Sequence, residues 1–483
     1  MKALITNPLL VPTICAALNL LLAGRLTAQT FTTLHSFAAT GTNSSGVYTN
    51  SDGASPYAGL ILGSAGNILY GETSEGGSSG QGTVFAINLD GTSTVTLHDF
   101  AGSPSDGASP AATLVSSGNT LYGTAIYGGS TYNGMVFAVH TDGSGFTNLH
   151  DFTSTDGSYP RPGLILSSNI LYGTTIQGGG GAGTVFAVRT DGSGFTTLHS
   201  FTGGSDGGLP YGGLVLTNNT LYGTASQGGS GAGMVFAIHT DGSGFTNLHS
   251  FTAVSDGAVP FAGLIISGNT LYGTAQYGGS SGNGTVFAVN SDGSGFTNLH
   301  SFAASVSNTN TEGANPFAEL ILSGNTLYGT AEHGGNSGRG TVFAVNTDGT
   351  GFTTLHSFTP TTGSYPLSTN SDGADPQAGL VFLGNALYGT AHSGGSSGNG
   401  TVFSISFRPQ LTITPSGTNV ILSWPLSYAG FSYAGYHLQE TANLAPSGVW
   451  STVSDTNPPV IVSGQFIITR PMLGPQWSYR LAQ

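Results

Sequence analysis

Residues 221–251 read LYGTASQGGSGAGMVFAIHTDGSGFTNLHSF, and this stretch decides the fold. Short runs rich in Val, Phe, Tyr and Thr alternate with Gly, Asn and Asp, which is typical of β-strands separated by tight turns. With the residues just before it, the stretch predicts strands at 213–216, 220–225, 234–239 and 245–251. No run has helical periodicity with caps.

This four-strand unit is repeated along the chain. The motif Leu-Tyr-Gly marks seven copies, with its tyrosine at Tyr70, Tyr122, Tyr172, Tyr222, Tyr272, Tyr328 and Tyr388. Successive tyrosines are 50 to 60 residues apart. Four antiparallel strands at this period are typical of a β-propeller blade, and an open solenoid is the alternative.

The two ends of the repeat array favour a closed ring. Fourth-strand copies begin at Phe31, Val95, Phe146, Phe195, Phe245, Phe296 and Phe352. The last unit, near residues 378–407, has a first, second and third strand but no fourth strand after them. Residues 31–37 have the fourth-strand pattern, but no first to third strands precede them. If residues 31–37 supply the missing fourth strand of the last unit, neither end of the array has an unpaired strand edge. The predicted fold is therefore all-β: a seven-bladed β-propeller over residues 29–408, closed by an N-terminal outer strand and followed by a small β-sandwich.

Units such as residues 221–251 resemble the GloVer tandem repeats of secreted bacterial proteins, and they faintly resemble kelch units. The likeness covers roughly residues 31–407 and rests on the LYGT…GG…VF pattern. The resemblance implies export, often with a tail for surface anchoring or sorting. It implies no established reaction, so no catalytic residue is carried over.

The predicted β-sandwich occupies residues 409–483. Six or seven short apolar runs, at sandwich spacing, include residues 420–424, 449–453 and 477–481. Trp424 is predicted to be a core residue. The module resembles fibronectin type III and immunoglobulin-like domains, and its predicted roles are attachment to the envelope, sorting, or a simple cap.

Residues 1–28 are predicted to be a signal peptide, because Lys2 precedes an apolar run and Leu-Thr-Ala at 26–28 precedes Gln29. The only cysteine, Cys15, lies inside this segment, so the mature chain has no thiol. No later run approaches the roughly 18 apolar residues of a membrane helix. The net charge of −14, with eight basic residues, argues against nucleic-acid binding.

Two repeated polar positions are predicted to be structural. One holds His35, His98, His150, His199, His249, His300 and His356. The other, between one unit and the next, holds Asp52, Asp106, Asp156, Asp206, Asp256, Glu312 and Asp372. We expect the histidines to bond a neighbouring loop or strand, and the carboxylates to accept bonds from turn N–H groups. Calcium is the alternative at the carboxylates, although one per loop is too few alone. No metal site or other cofactor is predicted.

Departures from the repeat point to a ligand site. The two positions before each Gly-Gly pair vary, and they supply the predicted ligand-binding residues: Glu75, Tyr127, Gln177, Gln227, Tyr277, Glu332, His333 and His392. These side-chain types stack on and hydrogen-bond sugars, although a weakly constrained solvated face gives the same pattern. The loops leading into units six, seven and one are the longest, and ring closure would make those units contiguous.

Three functions remain open at this stage. The first is a secreted or cell-surface, non-enzymatic scaffold that binds polysaccharide or a protein partner. The second is a carbohydrate-active hydrolase or lyase using carboxylates such as Glu75 and Glu332, although spacing identifies no carboxylate pair and no catalytic residue is assigned. The third is a structural protein of the envelope or matrix, favoured by the high fidelity of units two to five.

Overall fold

The computed structural model describes residues 29–102, 104, 106–363, 368–409, 411–433, 435–441, 451–453, 459–471 and 478–482. The predicted signal peptide, residues 449–450 and Trp477 lie outside these ranges. The chain divides into two compact units: Phe31–Ile405 forms one, and the other contains the described residues from Ser406 onwards together with Gln29 and Thr30. We call them the repeat unit and the C-terminal unit.

The described part of residues 29–407 forms seven sheets with one shared layout, which we number sheet 1 to sheet 7. Neighbouring strands are antiparallel throughout sheets 1 to 6. The strands of the first four sheets are Ile61–Leu62, Ile68–Thr73, Thr83–Asn88 and Thr94–Asp99 in sheet 1; Gly107–Pro110, Val115–Ser117, Thr120–Gly128, Met135–His140 and Thr147–Asp151 in sheet 2; Ile165–Ser167, Ile170–Thr175, Thr184–Arg189 and Thr196–Ser200 in sheet 3; and Val215–Thr217, Thr220–Ala225, Met234–His239 and Thr246–Ser250 in sheet 4. The strands of the others are Ile265–Ser267, Thr270–Ala275, Thr285–Asn290 and Thr297–Ser301 in sheet 5; Ala314–Pro316, Ile321–Ser323, Thr326–His333, Thr341–Asn346 and Thr353–Ser357 in sheet 6; and Val381–Leu383, Ala386–Ala391, Thr401–Phe407 and Gln29–Ser36 in sheet 7.

Sheet 7 combines the two ends of the repeat unit. Its order places Gln29–Ser36 beside Thr401–Phe407, at the outer position that the sequence leaves without a fourth strand. The backbone N–H of Phe37 continues the pairing by donating to the Gly400 carbonyl, at 3.1 Å. The first described strand is therefore held by the last strand of the repeat array.

Apolar side chains are buried between successive sheets. One cluster joins Tyr222 and Phe251 of sheet 4 to Leu271 and Phe287 of sheet 5. Another joins sheet 7 to sheet 1, and there Phe37 and Val402 contact Leu69 and Phe85. Both faces of an inner strand are consequently buried, which explains why runs such as TVFAV at 184–188 do not alternate.

Threonines of the Leu-Tyr-Gly-Thr motif connect neighbouring sheets. Their hydroxyls donate to backbone carbonyls of the next unit: Thr174 to Pro210 (3.1 Å), Thr224 to Ala262 (2.8 Å), Thr274 to Ala318 (3.3 Å), Thr330 to Ala378 (3.0 Å) and Thr390 to Ala58 (3.1 Å). The last of these bonds runs from sheet 7 to the segment that precedes sheet 1. The glycine of the motif leaves room for a buried ring, since a Cβ on Gly223 would lie 2.6 Å from Cζ of Phe236.

The C-terminal unit also consists of strands. One sheet has the order Thr412–Ser416, Asn419–Pro425, Gln465–Pro471, Val460–Val462, and another has the order Ser451–Thr452, His437–Thr441, Ser478–Ala482. A two-stranded ribbon pairs Ser427–Tyr428 with Phe431–Ser432. Trp424 is buried against Leu422, Leu438 and Ile468, as the sequence predicts for a core residue. Within the described ranges, the chain has no helix with the length and hydropathy needed to cross a bilayer.

Candidate ligand-binding face

One end of each sheet gathers two kinds of loop, and we call this end the loop face. The connections between second and third strands meet the segments that lead from one sheet to the next. Backbone bridges pair Ala54 with Glu75, Ser158 with Gln177, Gly208 with Gln227, Ala258 with Tyr277, and Ala374 with Ser393. In sheets 2 and 6, the strand pairings of Ala108 with Tyr127 and of Ala314 with His333 replace the bridge. The variable residues therefore occupy equivalent places in all the sheets.

The two variable positions before each Gly-Gly pair differ in exposure. The second position is the more exposed in sheets 1 to 6, where it holds Glu75, Tyr127, Gln177, Gln227, Tyr277 and His333. The first position is half-buried at Glu332 and His392. Tyr127, Gln177, Gln227 and Tyr277 sit on separate sheets, and no contact found among the described residues joins them to one another. The sequence-predicted set therefore separates into an exposed rim and a smaller inner group.

Glu75, Glu332 and His392 form the inner group, and they come from sheets 1, 6 and 7. The carboxylates of Asp375, Glu75 and Glu332 all act on the His392 imidazole and favour its charged form. Burial outweighs them and lowers the pKa of His392, with a further small contribution from the charge on Arg161. The imidazole of His392 is consequently neutral at pH 7 and can both donate and accept a hydrogen bond.

A cleft of about 600 Å³ lies beside this group, between the loops of sheets 7 and 1. Its lining includes Glu75, Asp375, His392, Ser393 and Tyr48. A short hairpin, Gly41–Thr42 with Tyr48–Thr49, belongs to the long loop that precedes sheet 1, and residues 46–48 of this hairpin form part of the lining. The volume lies in the range of small-molecule sites.

In each of the three long loops, before sheets 1, 6 and 7, an asparagine side chain holds the loop by hydrogen bonds. The Oδ1 atom of Asn50 accepts bonds from the N–H groups of Gly53 (3.0 Å) and Gly77 (2.9 Å), which joins the loop to the Gly-Gly turn. Asn310 and Asn370 make the corresponding pairs of bonds before sheets 6 and 7. The longest loops are thus held in place, which reduces the entropy cost of binding to them.

Five side chains form a continuous layer beside the inner group, and we call this layer the aromatic floor: Tyr57, Arg161, Tyr211, Phe261 and Phe317. Arg161 Cζ lies 4.4 Å from the ring centroid of Tyr57 and 5.6 Å from that of Tyr211. Ring contacts continue from Tyr211 to Phe261 (4.3 Å), from Phe261 to Phe317 (5.0 Å) and from Phe317 to Tyr57 (5.9 Å). The contacts therefore pass through all five side chains and return to Tyr57.

The floor adjoins the inner group through two contacts. The rings of Tyr57 and His392 meet edge to face at 5.2 Å. The Gln377 amide donates to Glu332 Oε1 at 2.6 Å. Each floor residue, like Gln377, directly follows the proline of its own unit. The residue type at this position differs between units, and that variation is the sequence signal that could have identified the floor.

Beneath the floor, a cavity of about 220 Å³ is lined by a segment from each of the seven sheets or the loops just before them. Glu319 stands where most units have glycine, and it lines the cavity with protein atoms crowded around it. This desolvation raises the pKa of Glu319 to about 7.

The family model of the Gloeobacter/Verrucomicrobia repeat matches residues 25–232 and 180–370. The chain belongs to this repeat family. No curated protein matches it. Similar solved structures include an oligogalacturonate lyase in complex with manganese (11% identity, TM-score 0.48, 78% of this chain and 96% of that chain) and a putative 6-phosphogluconolactonase from Bacteroides uniformis (15%, 0.46, 88% and 99%). A nidogen/laminin complex is also similar (14%, 0.38, 61% and 93%).

The repeated histidines and carboxylates of this Gloeobacter/Verrucomicrobia repeat protein meet in pairs. The Nε2 to carboxylate distances lie between 2.9 and 3.3 Å in His35–Asp52, His98–Asp106, His150–Asp156, His199–Asp206, His249–Asp256, His300–Glu312 and His356–Asp372. The same carboxylates accept loop N–H groups, as Asp256 does from Thr252. Most of the histidines stack on the phenylalanine that begins the next fourth strand, as His150 does on Phe195 at 3.6 Å. The predicted hydrogen bond to a neighbouring loop is present at five of the seven histidines, His35, His98, His249, His300 and His356. That the loop partner is the repeated carboxylate was not predicted.

Candidate metal ligands do not converge in the described residues. No group of three or more His, Cys, Asp or Glu side chains there is arranged to hold an ion. Each carboxylate of the repeated set is engaged by a histidine, which leaves it fewer free lone pairs for calcium.

Glu72 takes the place of one of the threonines that connect neighbouring sheets. It replaces the motif threonine in sheet 1, is fully buried, and accepts a bond from the Ala112 N–H at 3.1 Å through Oε2. Its Oε1 atom has no hydrogen-bond partner, and burial raises the pKa of Glu72 well above its usual range. The carboxyl is therefore neutral at pH values where exposed glutamates are ionised.

We expect Glu72→Gln to stabilise the repeat unit at pH 8 by about 1–3 kcal/mol, because a neutral amide needs no proton to remain buried. A raised folded-state pKa means that the wild type loses stability as pH rises from about 4.5 through that pKa. The gain should therefore vanish at pH 4. Urea unfolding at both pH values tests this, with Glu75→Gln as the exposed control. An equal gain at pH 4 and pH 8 would contradict the assignment to ionisation.

Proposed function

We propose that this chain is an exported, non-enzymatic scaffold that binds polysaccharide at the cell surface or outside the cell, through the loop face of a closed seven-bladed propeller. Export is supported by the signal-peptide features of residues 1–28. Ring closure is supported by the pairing of Gln29–Ser36 in sheet 7 and by the apolar cluster that joins sheets 7 and 1. The C-terminal unit would be a fibronectin type III-like sandwich that caps or attaches the propeller.

One observation carries the proposed binding: aromatic rings and hydrogen-bonding groups meet at the centre of the loop face. The aromatic floor offers ring faces and edges, and its neighbours Gln377, Glu332 and His392 offer donors and acceptors. Sugar rings are bound in this way, with their C–H faces on aromatic rings and their hydroxyls on polar side chains. Exposed tyrosines at the rim, including Tyr48 (62% exposed) and Tyr132 (58%), extend the surface for a longer chain.

A glycan array with the purified mature chain, with and without calcium, tests the proposal. We expect a saccharide to bind, and we expect the triple variant Glu75→Ala, Glu332→Ala, His392→Ala to bind it at least tenfold more weakly, since it removes an exposed and two half-buried hydrogen-bonding side chains. The matched control alters the same loops of other sheets, in the double variant Gln177→Ala, Gln227→Ala. It should change affinity less than threefold.

The alternatives predict different results in the same assay. Shortening of a bound polymer during incubation, measured by size-exclusion chromatography, would instead indicate a hydrolase or lyase. Absence of any saccharide binding, together with self-association of the chain, would overturn the proposal in favour of a structural envelope or matrix protein.

A further inference from the structure

The aromatic floor contains one charged side chain whose charge has no counter-charge in contact. No carboxylate of a described residue lies within the 4.0 Å ion-pair distance of the Arg161 guanidinium, whereas Arg339 on the same face lies 4.0 Å from Asp375. The nearby Glu332 bonds Gln377 and faces His333 at 3.8 Å. The polar neighbour of Arg161 is the Tyr57 hydroxyl.

The surroundings of Arg161 are mainly aromatic. Tyr57, Tyr211 and Phe317 lie 4.4, 5.6 and 5.8 Å from Cζ. The Tyr57 hydroxyl bonds part of the guanidinium, and no described carboxylate pairs with its other N–H donors. The N–H donors lie in the plane of the group and point away from its faces. A half-buried guanidinium held in this way is pre-organised for a planar anion, because carboxylates accept two parallel bonds from its edge.

Arg161 is the only charged residue at its position among the seven repeat units. The corresponding position after proline holds Tyr57, Ala111, Tyr211, Phe261, Phe317 and Gln377 in the other units, none of them charged. The layer would close the cavity equally well with a seventh neutral side chain in place of Arg161. A charge that is partly withdrawn from water costs free energy unless an anion or water satisfies it. The feature is therefore better explained by a ligand than by packing alone.

We propose that the aromatic floor binds a hexuronic acid unit of a polysaccharide, with the sugar carboxylate on the edge of Arg161 and the pyranose ring against an adjoining aromatic side chain. This inference rests on the proposed function, since it specifies the class of saccharide that the same face takes. Neutral sugars would retain the stacking contacts and lose the charge-assisted pair.

The test compares acidic and neutral hexasaccharides of matched linkage: β-1,4-mannuronate with β-1,4-mannose, β-1,4-glucuronate with β-1,4-glucose, and α-1,4-galacturonate with α-1,4-galactose. Isothermal titration calorimetry with the full mature chain gives both affinities. For at least one pair we expect the wild type to bind the acidic member at least tenfold more tightly. Arg161→Gln should reduce that preference to less than twofold while leaving neutral binding unchanged.

Two further variants separate recognition from stability. Arg161→Lys keeps a positive charge over the rings but lacks the planar fork, so it should fold like the wild type and lose most of the acidic preference. Arg189→Gln, which removes an exposed arginine at the end of the third strand of sheet 3, should change nothing. The wild-type preference should also fall between 50 and 500 mM NaCl, as an ion pair at a surface does.

The possible failures are distinguishable. Equal binding of acidic and neutral members, or an acidic preference that survives Arg161→Gln, would overturn the uronate site and leave the polysaccharide scaffold standing. Absence of binding to every member of the panel and to the glycan array would overturn both.

Discussion

We expect Phe37→Ala to reduce the free energy of unfolding of the repeat unit by about 3–5 kcal/mol, the usual cost of removing a fully buried phenylalanine. Phe37 has no solvent exposure, and its ring meets that of Phe85 at 5.4 Å, so it joins the N-terminal segment to sheet 1 as well as to sheet 7. In an open array this segment would be a frayed end and its loss would cost little. Urea unfolding monitored by circular dichroism measures the difference.

Phe201→Ala is the matched control, because Phe201 occupies the same repeat position inside the array. It is also fully buried, and its ring meets Phe236 at 5.3 Å. A closed ring gives the two variants losses of similar size. A loss below about 1 kcal/mol for Phe37→Ala, beside a full loss for Phe201→Ala, would indicate an open array.

The second large effect is expected on acidification. Burial lowers the pKa values of His150, His199, His249 and His300 more than the attraction of their carboxylate partners raises them. A histidine with a lowered folded-state pKa stabilises the fold at pH values above its unfolded pKa of about 6.5, and this contribution is lost as pH falls through the folded-state value. The stability that the four neutral histidines contribute should therefore fall progressively as pH drops below about 6.5.

The variant with all four histidines changed to glutamine isolates this effect. At pH 8 we expect the wild type to be more stable than the variant by about 1–2 kcal/mol, from roughly 0.5–1 kcal/mol for each of the two hydrogen-bonded pairs, His249–Asp256 and His300–Glu312. At pH 5 that advantage should be smaller. The comparison between proteins is needed because Glu72 and Glu319, with raised pKa values, change wild-type stability in the opposite direction over part of the same range. An advantage that is constant from pH 8 to pH 5 would contradict the prediction.

The strands were predictable because short apolar runs and glycine-rich turns specify them locally. In sheet 4, the predicted strands 220–225 and 234–239 coincide with Thr220–Ala225 and Met234–His239. The predicted first strand, 213–216, is shifted to Val215–Thr217. Gly213 and Leu214 line the central cavity instead of pairing, and no local pattern distinguishes a residue that lines a cavity from one that pairs.

The candidate site was predictable only in part. Loop lengths and the variable positions before Gly-Gly pointed to Glu75, Glu332 and His392, and the carboxylates of Glu75 and Glu332 both act on the His392 imidazole. The aromatic floor was missed because its members are far apart in the sequence and contribute one variable residue each. Only the spatial convergence of several sheets shows that Arg161 and Tyr57 are in contact.

Sheet 7 can form only after the whole repeat array has been synthesised, because it pairs the first and the last strands of that array. The bond from the Ser396 N–H to Ser36 Oγ spans 360 residues. A ribosome that has produced residues 29–36 must add hundreds more before their partner strand exists. Until then this apolar stretch has an exposed edge that other chains can pair with, and non-local pairing of this kind is slow. Newly made chains should consequently depend on chaperones or on dilution until the last repeat has emerged.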